Sequence, residues 1–274
     1  MASISFEALG TVWHIDSDVD QEFVDECELL ARDFEQRYSR FLDDSLLSRL
    51  NSNKQLHDPP KEMVDMMQFA ADAYTQTAGL FNITAGSALA SRGYGKLNKG
   101  RLVAGWTNSL ELSDGLIKIG DEVNLDFGGF GKGWLIDNLH DYLIGCGADY
   151  VLVNGGGDIR LTSSDVVMIP LMMPGDAGQK FADAHISSGA LASSSPLIRS
   201  WGDNNHLVTS DGQSYSGDID QLSVFAKTAR DADMLATACI VSPDFLELAQ
   251  EGGAEILVVS GSQYRATPSF PLVA

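Results

Sequence analysis

Read for apolar periodicity, the chain falls into stretches at helical spacing separated by short strand-like runs. Ile4 to Ile15 alternates as a first strand or hairpin, interrupted at Gly10-Thr11. Asp20 to Ser39 places Phe23, Cys27, Leu30, Phe34 and Tyr38 on one helical face. A loop from Tyr38 to Ser45 caps a short helix to Asn51. Asp58-Pro59-Pro60 opens a helix that runs to about Thr77 and stops at Ala78-Gly79. Phe81 to Gly86 leads into another short helical piece, and residues 93 to 120 read as loop plus hairpin.

The organising stretch is Asn124 to Asp158. A short apolar strand runs into a glycine cluster (Gly128, Gly129, Gly131 and Gly133) with Lys132 inside it. Trp134, Leu135, Leu139, Tyr142 and Leu143 then mark an amphipathic helix, which Gly147 is placed to end. Tyr150 to Val153 is a buried-strand pattern, and Asn154-Gly-Gly-Gly-Asp158 is a second glycine turn. Beyond it, Asp158 to Thr162, Val166 to Met173 and His185 to Ser194 predict strands, and Asp203 to Ile219 a polar loop. Ala229 to Val241 and Pro243 to Gln250 predict helices, and Ile256 to Ser260 with Tyr264 to Thr267 a closing hairpin. With no internal repeat and no linker, residues 1–274 read as one compact α+β unit, with mixed or antiparallel sheets packed against helices.

Composition narrows the partners. The chain carries 18 basic and 38 acidic residues, a formal charge of −20, so no basic stripe is offered to a nucleic acid. An anionic small ligand remains admissible where a divalent cation bridges it to carboxylates. Cys27, Cys146 and Cys239 lie in apolar helical patterns without metal-ligand spacing and read as buried structural thiols. No apolar run approaches the ~18 residues of a membrane span. The N-terminus has no basic segment followed by an apolar one, so the expectation is a cytoplasmic protein if Met1 is native, and otherwise the mature part of an exported one.

The candidate chemistry lies in a few places. Two glycine turns at the two ends of one helix–strand unit let backbone N–H groups approach a phosphate. Yet Gly129-Phe-Gly131-Lys-Gly133 fits neither the dinucleotide nor the P-loop fingerprint, and glycine clusters are ordinarily turns alone. Asp231, Asp233 and Thr237 open a helix; Asp233 and Thr237, four apart, share a face. Hard oxygen donors of that kind suit Mg²⁺, although acidic first-turn residues also offset a helix dipole. His206 sits in a polar loop with Trp201, Asp203 and Asn205, where it would serve as a general base or phosphate partner. His57 and His140 read as solvent-facing. Ser193 to Ser195 would donate hydrogen bonds to an anion, and no G-x-S-x-G elbow is present.

In order, Phe34, Tyr38-Ser-Arg-Phe41, Asp44-Ser45, Ser48-Arg-Leu-Asn51, Gly79-Leu-Phe-Asn-Ile-Thr84, Leu125-Asp-Phe-Gly-Gly-Phe-Gly-Lys-Gly133, Asp137, Asn154-Gly-Gly-Gly-Asp158, Ala190-Leu-Ala-Ser-Ser-Ser195, His206 and Ala232-Asp-Met-Leu-Ala-Thr237 form a pattern. It resembles the FAD:protein FMN transferases, the ApbE-like flavin transferases, over residues 6 to 260. The glycine–lysine and Ala-Asp-x-x-Ala-Thr motifs are its specific parts. The resemblance implies an ApbE-like fold and Mg²⁺-dependent cleavage of FAD at its diphosphate. A Thr or Ser hydroxyl of an acceptor protein attacks the FMN phosphorus, AMP leaves, and a phosphoester-linked flavin results. It implies Asp233, Thr237 and the main-chain carbonyl near Gly131 as metal ligands. FAD contacts fall on Phe41, Thr84, Gly129, Lys132, Asp137, Gly156, Ser193 and Ser194, and activation of the hydroxyl on His206.

The chain departs from the family pattern in four places. After its histidine the family usually has Ile-Ile-Asp-Pro-x-Thr-Gly; here Leu207-Val-Thr-Ser-Asp-Gly212 follows, with Thr209 in place of the aspartate. Asn82 replaces a usual Asp, Gly131 a usual Ala, and Ser193-Ser-Ser195 the usual Thr-Ser-Gly. The change at Thr209 touches base catalysis and keeps a second reading open: an FAD-binding protein or FAD pyrophosphatase with weakened or lost transferase activity.

Overall fold

The computed structural model describes residues 1–95 and 100–273, with the side chains of residues 177–178 excepted. In chain order come β1 (Ala2–Ala8), β2 (Thr11–Ser17), α1 (Gln21–Tyr38), α2 (Leu46–Asn53), β3 (Gln55–His57), α3 (Lys61–Gln76) and α4 (Ala85–Ser91). Then follow a 3-10 turn (Trp106–Ser109), β4 (Glu111–Ser113), β5 (Leu116–Lys118), α5 (Gly131–Gly145), β6 (Val151–Gly155), β7 (Asp158–Met173) and β8 (Asp176–Ser194). The chain ends with β9 (Ser200–Trp201), β10 (Asn204–Asn205), β11 (Gln221–Ala226), α6 (Ala229–Ile240), α7 (Pro243–Glu251), β12 (Glu255–Ser260), β13 (Gln263–Ala266) and β14 (Leu272–Val273). The architecture is mixed α and β with antiparallel sheets, as the periodicity predicts. Among the described residues no helix is long and apolar enough to cross a membrane.

Contacts cluster into two compact units: Met1–Asp33 with Phe130–Ser200 and Ser216–Ala274, and Phe34–Gly129 with Trp201–Tyr215. The first is built on an antiparallel sheet in the order β1-β2-β6-β7-β8-β11-β12-β13, with β14 added to β8. One cluster of its core gathers Ile159, Leu161, Leu171, Ile186 and Leu257 with Phe270. Helix α5 packs on β6 and β7, α6 packs on β8 and β11, and the two helices pack on each other. Helix α5 stops as its sequence directs: Gly147 takes φ +95°, and Ala148 N–H reaches back 3.2 Å to Leu143 O, a Schellman closure.

Three expectations are corrected in this unit. Residues 158–173 form one strand rather than two, bent by a register shift against β8 between Thr162 and Val167, which breaks the sequence period. Strand β8 starts at Asp176, so His185 lies within it. His140 is buried, not solvent-facing, with its ring nitrogens 2.9 Å from Thr162 Oγ1 and 3.1 Å from Asp141 Oδ1. Strand β11 went unrecognised because Gln221 to Val224 are all buried and do not alternate.

The second unit packs α2, α3 and α4 with the small sheet β3-β5-β4 around Leu47, Leu50, Met63, Met66, Met67, Trp106 and Ile117. Ser45 caps α2 through Ser48 N at 3.0 Å. Asn51 serves as a backbone surrogate: it donates to Leu125 O at 2.9 Å and accepts from Leu125 N at 2.7 Å. That pair fixes the strand-like segment leading to Asp126 and the glycines after it.

Candidate active site

Within the first unit, three buried elements bring charge together. Lys132 lies in the first turn of α5, Asp158 opens β7 directly after the Asn154–Gly157 turn, and Asp233 sits in the first half of α6. Lys132 Nζ donates to Asp158 Oδ2 and stands 3.5 Å from Asp233 Oδ2. Asp158 Oδ1 accepts from Ser193 N at 2.9 Å, and Asp233 Oδ2 accepts from Gly133 N at 3.2 Å. Both carboxylates are almost wholly buried. Burial, opposed by Lys132 and reinforced by Asp158, pushes the Asp233 carboxyl up to about 7. Burial works against the Lys132 ammonium, but the two carboxylates outweigh it and hold its pKa above the ordinary value.

Glycine makes this approach possible. A Cβ on Gly133 would lie 2.4 Å from the carbonyl oxygen of Ala229, so only glycine lets α5 touch the start of α6. Asp137 then clamps the contact: it accepts from Ala229 N at 2.8 Å, Arg230 N at 3.1 Å and Arg160 Nη1 at 2.9 Å. A carboxylate facing the first amides of α6 complements the helix dipole. Asp231 belongs to the cap as well, bonded to Thr228 at the N-cap. Thus Asp137 and Asp231 are committed to holding α6, while Asp233 faces Lys132.

The predicted metal donors lie on α5 and α6. Thr237 follows Asp233 by one turn, with its Oγ1 3.5 Å from Ser194 Oγ, and Gly131 is the first residue of α5. Lys132 already stands as a cation beside Asp233, and oxygen donors of this type match Mg²⁺ chemistry. Among the described residues no group of three or more His, Cys, Asp or Glu forms a metal cluster, so such a site would draw on hydroxyl and main-chain oxygens. Ser193 and Ser194 end β8 beside this cluster, Ser193 Oγ pairing with Ser223 Oγ at 2.7 Å. Gly156, in the β6–β7 turn, takes φ +71°, where a Cβ would strike Thr11 Oγ1 at 2.4 Å.

The second unit holds the other predicted residues. His206 is half-buried on one arm of a tight turn, pinned by Asn205, whose Nδ2 donates to Tyr215 O at 2.7 Å. Thr209 Oγ1 lies 2.5 Å from Asp211 Oδ1, and that same oxygen accepts from Gln213 N at 3.2 Å. The bond from Thr209 holds the Asp211 carboxyl below the ordinary range. Asp211 is therefore folded into its own turn, on the wall of a cavity of about 820 Å³ that Lys54, Arg92 and Arg101 also line. Thr84 is buried, its hydroxyl bonded to Asn82 Oδ1 at 2.8 Å and to Val103 N at 2.9 Å. Asn82 donates to Val103 O at 3.1 Å, which the carboxylate usual at that position could not do. Phe41, 46% exposed, covers the guanidinium of Arg40 at 4.2 Å; Tyr94 lies over it at 5.4 Å and stacks on Trp201 at 4.9 Å. Gly129 ends the first of this unit's two segments.

Sequence reasoning missed Asp158 as a partner of Lys132, although it noted the carboxylate ending the glycine turn. It also missed Arg40, whose side chain is buried against Asp126 at 2.6 Å. No local spacing marks either residue.

Comparison with known proteins adds to this geometry. Residues 9–258 match the model of the ApbE family. The FAD:protein FMN transferase of Haemophilus influenzae is 22% identical over 303 aligned positions, covering 94% of this chain and 86% of that protein. In fold, the chain is similar to the flavin transferase ApbE of Vibrio cholerae, with TM-score 0.78, 20% identity and 98% and 97% of the two chains covered. The ApbE protein of Thermotoga maritima gives TM-score 0.85 at 19% identity, with 97% of each chain covered. With a family match spanning nearly its whole length, this chain belongs to the ApbE family.

Proposed function

We propose that this protein is a Mg²⁺-dependent FAD:protein FMN transferase, which cleaves FAD at its diphosphate and attaches FMN by a phosphoester to a Thr or Ser of an acceptor protein, releasing AMP. The observation that carries the reading is the buried Lys132–Asp158–Asp233 cluster in a chain of the ApbE family. Asp233, Thr237 and the main-chain carbonyl of Gly131 would hold the ion. When bound, it supplies charge neutralisation to the diphosphate and its transition state.

The protein's own groups do the rest. Lys132 lends positive charge to the phosphate oxygens, and the hydroxyls of Ser193 and Ser194 donate to them. Gly129 and Gly156 keep their backbone segments free of side chains where the diphosphate approaches. Phe41, with Tyr94 and Trp201, offers aromatic faces suited to a ring of FAD. His206 takes the proton from the incoming hydroxyl, whose oxygen bonds to the FMN phosphorus as the bond to the bridging oxygen breaks. AMP departs with that oxygen. Asp137 and Thr84 act by positioning, since their polar atoms are already bonded within the protein. Because the family match crosses both units, residues 1–274 are read as one functional domain.

The second reading is an FAD-binding protein or FAD pyrophosphatase, favoured by Thr209 and by the engagement of Asp211 in its own turn. Purified protein incubated with FAD and Mg²⁺, with and without a threonine-bearing acceptor domain, separates the two. The expected result is AMP release with the mass of FMN added to the acceptor, lost in His206→Ala and Asp233→Ala. AMP and FMN without labelled acceptor would overturn the transferase in favour of hydrolysis. FAD bound without turnover would leave a binding protein.

A further inference from the structure

The Lys132 ammonium lies between two carboxylates. It is bonded to Asp158 and lies 3.5 Å from the same Asp233 oxygen that accepts from Gly133 N. Two buried carboxylates thus share one ammonium. A divalent ion on Asp233 would put like charges a few Å apart in a largely desolvated site, where they repel strongly. Lys132 and such an ion therefore compete for Asp233.

We infer that Lys132 is a built-in counter-cation: its ammonium, anchored by Asp158, occupies the cation seat at Asp233 and is released by the divalent ion that displaces it. Loading the cation and freeing the lysine are then one event, and an anionic diphosphate meets a cationic site only after it. Asp158 acts as the positioning residue, holding the ammonium at the seat and, through Ser193 N, tying it to the end of β8. This inference rests on the proposed cation dependence and extends it.

Direct binding of Mn²⁺, without FAD, to the full chain tests it by calorimetry and by the loss of the free-ion EPR signal. The decisive protein is the double variant Lys132→Met/Asp158→Asn. It has the same net charge at the seat as the unaltered chain, and it has no buried like-charge pair to unfold it. Simple charge summation gives it unchanged affinity. Displacement gives it affinity tighter by roughly tenfold or more, the scale of removing a unit charge a few Å away. In Asp158→Asn alone, the ammonium has only Asp233 to pair with, and Mn²⁺ binds more weakly than in the unaltered chain. Asp233→Asn removes the seat and abolishes binding. Equal or weaker affinity in the double variant would overturn the counter-cation while leaving the cation reading intact. No binding in the unaltered chain and in every variant would overturn both.

Discussion

A methyl group on Gly133 would meet the Ala229 carbonyl at 2.4 Å, so the contact of α5 with α6 has room for hydrogen only. The same residue's N–H holds Asp233 at 3.2 Å, so helix packing and site geometry share one backbone. Gly133→Ala is expected to destabilise the protein by about 1–3 kcal/mol, as overpacking does, and to weaken Mn²⁺ binding as Asp233 is displaced. Gly145, also in α5, has nothing within 4 Å of its would-be Cβ. Gly145→Ala is expected to raise stability by about 0.5–1 kcal/mol. Urea denaturation of both variants checks the pair; equal shifts would contradict the packing argument.

Asn51 stands in for a missing strand, bonded to both the N–H and the C=O of Leu125. Asn51→Ala leaves two buried backbone groups unpaired, at about 1–3 kcal/mol each. Asn51→Asp keeps the acceptor but sets a carboxylate against the Leu125 carbonyl, and is expected to be at least as damaging. Chemical denaturation followed by tryptophan fluorescence would register both, Trp106 being buried in the same unit.

His140 supplies a pH signature. Burial holds its pKa below the ordinary 6.5, against the pull of Asp141 and with Arg160 adding to the depression. Below pH 6.5 the unfolded chain takes up a proton that the folded chain resists. Stability from this residue is therefore present above pH 6.5 and lost as pH falls through that value toward the folded pKa. Asp233, pushed up to about 7, contributes the opposite slope over this range, so the test is the difference between two proteins. Thermal unfolding between pH 7.5 and 5 is expected to contain a falling limb that His140→Gln removes. A limb unchanged in the variant would assign it to other groups.

The sequence was legible where a residue acts on its own neighbourhood. Gly147 stops α5, Ser45 caps α2, and the four-residue spacing of Asp233 and Thr237 places them on one helical face. The site was less legible because its main contact joins residues far apart in the chain. Lys132 and Asp158 are separated by 26 positions, and Asp233 reaches them only through the packing of α5 on α6 and the sheet. An aspartate in the first half of a helix reads the same whether it caps, as Asp231 does, or faces an ammonium, as Asp233 does. His140 is adjacent in sequence to the exposed Asp141, and its burial depends on Thr162 of a strand that follows.

Thr209 gives the sharpest test of the reaction itself. It stands where the family pattern has aspartate, and its hydroxyl is spent on Asp211 Oδ1 at 2.5 Å. Thr209→Asp alone would set two carboxylates against each other, opening the turn that carries His206 and leaving transfer no faster. Thr209→Asp with Asp211→Asn removes the repulsion: the asparagine oxygen still accepts from Gln213 N, and its amide donates to the new carboxylate. With proton removal by His206 limiting, the double variant is expected to raise kcat for FMN transfer by about 10²-fold, the lower end of general-base effects. KM for FAD would change little, because neither residue is assigned a contact with the diphosphate. Single-turnover transfer to a threonine-bearing acceptor, across a pH series, measures this. A rate equal to that of the unaltered chain would show that Thr209 does not limit the proton transfer, whereas faster AMP release without acceptor labelling would place the gain in hydrolysis.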